Sequence, residues 1–192
     1  MMQEKSKSNE IESRVEDAVQ YFISLFDIKE KPQIDIKISS LDRFVYARPI
    51  WNGHDKHVLF FDIQQLLNDA RKENVTIQYL FNTLDLIVGE EVGHIMYTHQ
   101  NQLMLRHLLP ESSSTLIYVA EVIGHYCGLI YVNRDDNEIF GLGAESNGIH
   151  GEAYKTADRL FERYRLTGLI SIISLKNLID QYKKIKDLES LT

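Results

Sequence analysis

LDLIVGEEVGHIMYTH, residues 84–99, reads as a helix with apolar residues around most of its circumference and with Glu90, Glu91 and His94 near its centre. Glu90 and His94 stand one helical turn apart, so they project from one face, while Glu91 sits a residue further round. Gly89 and Gly93 weaken such a helix by about 1 kcal/mol each relative to alanine. Their use is the close approach of another backbone or a ligand. A second apolar stretch, LIYVAEVIGHYCGLIYV (116–132), repeats the pattern with Glu121 and His125 four residues apart. A glutamate and a histidine one turn apart on a solvated helix form a pair worth only a few tenths of a kcal/mol. Both pairs here lie among apolar neighbours, and buried charge demands compensation. The two stretches therefore predict a pair of core helices that share a buried polar centre.

Outward from these helices the periodicity changes. Residues 1–9 are a polar tail, and from Ile11 to about Phe26 the positions of Val15, Ala18, Val19, Phe22 and Ile23 give an amphipathic helix. QIDIKIS (33–39), FVYARPI (44–50) and HVLFFDI (57–63) read as three short strands, and the Asn-Gly pair in WNGHD (51–55) marks a tight turn. An antiparallel meander is expected. Helices are expected at 62–73, 76–99, 114–132, 151–166 and 169–187, broken by PESSS (110–114), by the long loop 133–148 and by Thr167-Gly168. A small sheet followed by packed helices is an α+β arrangement, mainly helical, with residues 10–192 as one domain.

The chain has 192 residues, enough for one substantial core and too few for two. Its formal net charge of −7 opposes non-specific nucleic-acid binding, which needs a basic surface, and Lys183, Lys184 and Lys186 do not reverse that. Cys127 is the only cysteine, so no internal disulfide forms, and the charged start of the chain has no apolar signal core. A cytoplasmic protein is expected. The segment 116–132 imitates a membrane span, but Glu121 and His125 near its middle are costly in lipid, so a buried helix and no membrane role are expected.

Glu90-Glu91-Val92-Gly93-His94 resembles the HExxH signature of zincin metallopeptidases, with Glu90 in place of the first histidine. In that signature two metal ligands stand one turn apart, and the glutamate between them is the general base toward water on the ion. In the gluzincin branch the third ligand is a glutamate on a later helix, followed four residues on by an acid that orients the first histidine. AEVIGH supplies Glu121, 27 residues beyond His94, and then His125. The two departures are complementary, since Glu90 supported by His125 keeps the hydrogen-bonded pair with its members exchanged. The order of elements over residues 10–132 also resembles a minimal gluzincin.

The resemblance implies Glu90, His94 and Glu121 as metal ligands, Glu91 as general base, and His125 as the group that orients Glu90. It also implies a peptide or protein as substrate or partner, extended along an edge such as FVYARPI. His150, at the start of HGEAYKTADRLFERY, is the expected oxyanion-stabilising residue. Zinc is the expected ion. A Glu-His-Glu set carries two negative charges where His-His-Glu carries one, which weakens the ion as a Lewis acid and makes manganese or iron alternatives. Two other readings follow from the same residues. One is a zincin-like interaction module without catalysis, favoured by Glu90. The other is a ferritin-like diiron carboxylate protein, in which Glu91 and His94 form a Glu-x-x-His motif. Tyr97, His99, His54, His57, His107 and Cys127 read as ordinary surface or packing residues.

Overall fold

The computed structural model describes residues 2–26, 28, 30–41, 46–51, 56–108, 114–134 and 148–164. Its elements are α1 (Met2–Phe26), β1 (Gln33–Ile38), β2 (Ala47–Trp51), β3 (Lys56–Phe61), α2 (Ile63–Lys72), α3 (Ile77–Leu108), α4 (Ser114–Val132) and α5 (Gly148–Tyr164). The fold is α+β and mainly helical, as the periodicity predicts. The polar stretch read as a tail is helical from Met2 onward. Its Gln, Glu, Lys and Ser residues include no Gly or Pro, and extending a helix that packing has already nucleated adds a hydrogen bond per residue at small cost. The expected helix over 169–187, the turn at 52–55 and most of the loop 133–148 lie outside the described residues.

The sheet differs from the expected meander. Its order is β1-β3-β2, with β2 antiparallel to β3 and β1 parallel to β3. A parallel pair needs a crossover, and β2 lies within the connection between β1 and β3. Alternation of apolar and polar residues in QIDIKIS is the same for either strand direction, so the sequence pattern could not choose. Pro49, which has no N–H, is tolerated on β2 because β2 is an edge strand.

α4 is the middle of the core. From Val122 to Tyr131 every residue is buried, Gly124 and Gly128 included, and the helix packs against both α3 and α5. Val88, Val92, Ile95 and Met96 of α3 and Ile11, Val15, Ala18, Val19 and Phe22 of α1 belong to the same buried core. The α3–α4 crossing is close because glycines face it. A Cβ on Gly128 would stand 2.7 Å from the Leu86 carbonyl oxygen, and one on Gly89 2.7 Å from the Tyr131 Cβ. On α5, Ala153 and Ala157 are fully buried, Tyr118 and Thr156 share a 2.7 Å hydroxyl hydrogen bond, and Tyr126 meets Phe161 edge-on. Among the described residues no helix is long and apolar enough to cross a membrane.

Polar groups fix the joints. Asp62, nearly buried, caps α2 by accepting 2.9 Å hydrogen bonds from the Gln65 and Leu41 amides, which ties the helix start to the segment after β1. Asp62→Ala is expected to cost about 2 kcal/mol, since it removes a cap and strands two amides; urea unfolding of the variant checks this. Arg14 of α1 pairs with Asp85 of α3, while Arg134 at the end of α4 lies 3.3 Å from Asp17 and 3.8 Å from Asp85. This network holds α1, α3 and α4 together at the end where the chain leaves α4.

Candidate metal centre

Three helices supply the site. α3 contributes Glu90, Glu91 and His94, α4 contributes Glu121 and His125, and α5 adds His150, Tyr154 and Asp158. One ligand atom from each of Glu90, His94 and Glu121 lies within 4.8 Å of the other two. An ion about 2.1 Å from each ligand sets donor atoms about 3.4 Å apart, so a contraction on the order of 1 Å, within reach of side-chain rotation, closes the set. The His94 ring reaches toward α4 over Gly124, where a Cβ would overlap the imidazole at Nε2, Cε1 and Cδ2. Gly124 thus provides the gap through which a histidine on α3 meets a glutamate on α4.

Glu90 is held from two sides. Its Oε2 faces His125 Nδ1 at 3.4 Å, and its Oε1 accepts a 3.1 Å hydrogen bond from the Tyr154 hydroxyl. Burial raises the Glu90 carboxyl, but His125, His94 and Tyr154 outweigh it, and the group is held below the usual carboxylate range. The His125 ring stacks on Tyr154, with centroids 4.2 Å apart and planes 19° apart. Its Nε2 lies 3.6 Å from Asp158 Oδ1, an ion-pair contact too long for a hydrogen bond. Burial opposes charge on this imidazole, yet Asp158 and Glu90 together push it up to about 9. The ring thus lies between the side chains of Glu90 and Asp158. The exchanged pair expected from the sequence, Glu90 with His125, is therefore brought together.

Glu91 differs from its neighbour. Its Oε2 is buried without a hydrogen-bond partner among the described residues. Burial first, then the nearby Glu90 and Glu121 carboxylates, push its pKa well above the usual carboxylate range. A buried carboxylate among carboxylates is the environment that a cation relieves. Glu121 is partly exposed and its Oε2 lies 3.1 Å from His150 Nδ1. His150, itself 56% exposed at the start of α5, thus stands at the outer edge of the site.

Tyr154 and Asp158 are the site residues that the sequence reading missed. Their signal was the spacing His150, Tyr154, Asp158, one helical turn at each step, which places all three on one stripe of α5. Without knowledge of where α5 docks, that stripe reads as solvated. His57 is buried on β3 and does not belong to the Glu90–His94–Glu121 group. His54 and the side chains of Tyr97, His99 and His107 lie outside the described residues. Cys127 is fully buried against Gly93, where a glycine Cβ would overlap it, and burial, then Glu90, pushes its thiol far up. The thiol is expected to resist a soluble disulfide reagent in the folded protein and to react only at the rate of unfolding; stopped-flow labelling with and without denaturant measures this.

Compared with protein-family models, curated proteins and solved structures, the chain gives no match.

Proposed function

We propose that this chain binds one divalent metal ion through Glu90, His94 and Glu121 and acts as a zincin-like hydrolase on peptide or protein substrates, with Glu91 as general base. The observation that carries the reading is the Glu91 carboxylate, buried with an oxygen that has no donor among the described residues and set beside Glu90 and Glu121. A second carboxylate pair in such a place is costly. With Glu90 and Glu121 oxygens at up to 4.8 Å, their repulsion is on the order of 3 kcal/mol at an effective dielectric near 20. The donor set is one imidazole and two carboxylates, which suits zinc, manganese or iron.

A bound ion supplies positive charge that polarises a substrate carbonyl and acidifies water. Glu91 would hold and pass a proton, because burial and the neighbouring Glu90 and Glu121 carboxylates raise its pKa and so favour the protonated form once it has accepted one. His150, exposed beside Glu121, would donate toward a developing oxyanion. Glu91→Gln keeps the volume and removes the base. The expected result is metal affinity within about threefold of wild type and peptide hydrolysis lowered at least about 100-fold, the scale of lost general-base catalysis. Glu90→Gln should weaken the metal instead. Isothermal titration with zinc or manganese and a peptide-library cleavage assay read the two effects separately. Metal binding without cleavage by the wild type would favour the interaction-module reading, to which Glu90 in the first ligand position already points.

A further inference from the structure

His150, Tyr154 and Asp158 each meet a different member of the site: His150 meets Glu121, Tyr154 meets Glu90, and Asp158 meets His125. We propose that Tyr154, together with Asp158 acting through His125, is a positioning residue that fixes how Glu90 presents its carboxylate to the ion. The proposal rests on the metal-binding reading above.

A glutamate side chain has rotamer freedom to lose on ordering, and its carboxylate can bind an ion through one oxygen or two. Here both oxygens are engaged before any ion arrives. Tyr154 donates to Oε1 at 3.1 Å, and His125 Nδ1 faces Oε2 at 3.4 Å, so the carboxylate plane is set by donors from α5 and α4. The phenol and the imidazole are stacked, which fixes the direction from which each donor comes. Asp158 lies on the far side of the ring, near Nε2, and so favours the orientation in which Nδ1 faces Glu90. With these donors in place the Glu90 carboxylate is held in one plane before any ion binds. Among the described residues, Glu121 meets the exposed His150. Glu90 is, among the described residues, the carboxylate ligand held by donors on both oxygens.

The test uses cobalt(II) alone, added to the full chain, because its visible absorption reports ligand geometry and its titration reports affinity. Wild type, Tyr154→Phe and Asp158→Asn are compared. Tyr154→Phe retains the ring stacked on His125 and removes only the hydroxyl. Both variants should melt within a few degrees of wild type, bind cobalt about tenfold more weakly, and show a shifted absorption band, as loss of an outer partner of a metal ligand does. The double variant should lose less than the product of the single effects, since both act on Glu90. Unchanged affinity and spectrum in both variants, with cobalt bound by wild type, would overturn the positioning role and leave the metal reading standing. Weaker binding with an unaltered spectrum would also overturn it, as that is the mark of a general structural loss. Absence of cobalt binding by wild type would overturn both. If Tyr154→Phe does not fold, Asp158→Asn, whose side chain is 40% exposed, decides by the same criteria.

Discussion

His94→Ala and Glu121→Ala are each expected to weaken divalent-metal binding by more than about 100-fold, beyond the 10–100-fold that follows loss of an outer partner of a ligand. The two variants should differ in the metal-free protein. Glu121 lies among Glu90 and Glu91, so its removal relieves repulsion that raises Glu91 and is on the order of 3 kcal/mol for the Glu90–Glu121 pair. Metal-free Glu121→Ala should therefore melt no lower than metal-free wild type, and it should lose the metal-induced stabilisation altogether. For wild type at an ion concentration 100 times Kd, that stabilisation is about 2.7 kcal/mol, or about 5–10 °C for a chain of this size. His94→Ala removes a ring packed over Gly124 and leaves a gap, so it should lose stability as well as metal. Calorimetric melts of the three proteins with and without zinc or manganese distinguish a site held for binding from a polar network held for the fold. A network that served the fold alone would make Glu121→Ala destabilising in the absence of metal.

Gly93→Leu is the substitution expected to do most damage to the fold. A Cβ at this position overlaps the Cys127 Cβ and stands 2.9 Å from its Sγ, and both atoms sit on a helix that cannot retreat without disturbing its other contacts. Val122, Ile123, Tyr126 and Ile130 of α4 are all within 1% of complete burial, so moving α4 away from α3 opens the core along its length. The gain in helix propensity over glycine is about 1 kcal/mol. Overpacking costs up to about 3 kcal/mol for small insertions and more where backbone must move. The balance predicts a melting temperature lower by at least about 6 °C, read by circular dichroism. Since His94 is the next residue along α3, metal affinity should fall with it.

Much of this was legible in local patterns. The bounds of α4 were set by an apolar run ending before Asn133, and Ser114–Val132 is the helix found. The convergence of Glu90, His94, Glu121 and His125 followed from four-residue spacing within two apolar segments, because charges in such segments need each other. What periodicity leaves open is non-local. Strand alternation in residues 33–39 does not record direction, so the parallel β1–β3 pairing was hidden. The continuation of α3 to Leu108 was hidden too, as HQNQLMLRHL lacks a clean apolar stripe. Tyr154 and Asp158 carry a regular spacing, but only the docking of α5 on α4 turns that stripe toward Glu90 and His125.

Glu90, His94 and Glu121 are proposed to form one mononuclear site. Its most direct measurement is metal stoichiometry: the protein, stripped of metal and dialysed separately against zinc, manganese and anaerobic ferrous iron, is analysed for bound metal per chain, with His94→Ala and Glu121→Ala alongside. One equivalent in wild type for at least one of these ions, and none in either variant, is the predicted result. Two equivalents of iron would point to the diiron arrangement, and no ion retained by wild type, or equal retention in all three proteins, would contradict the site itself.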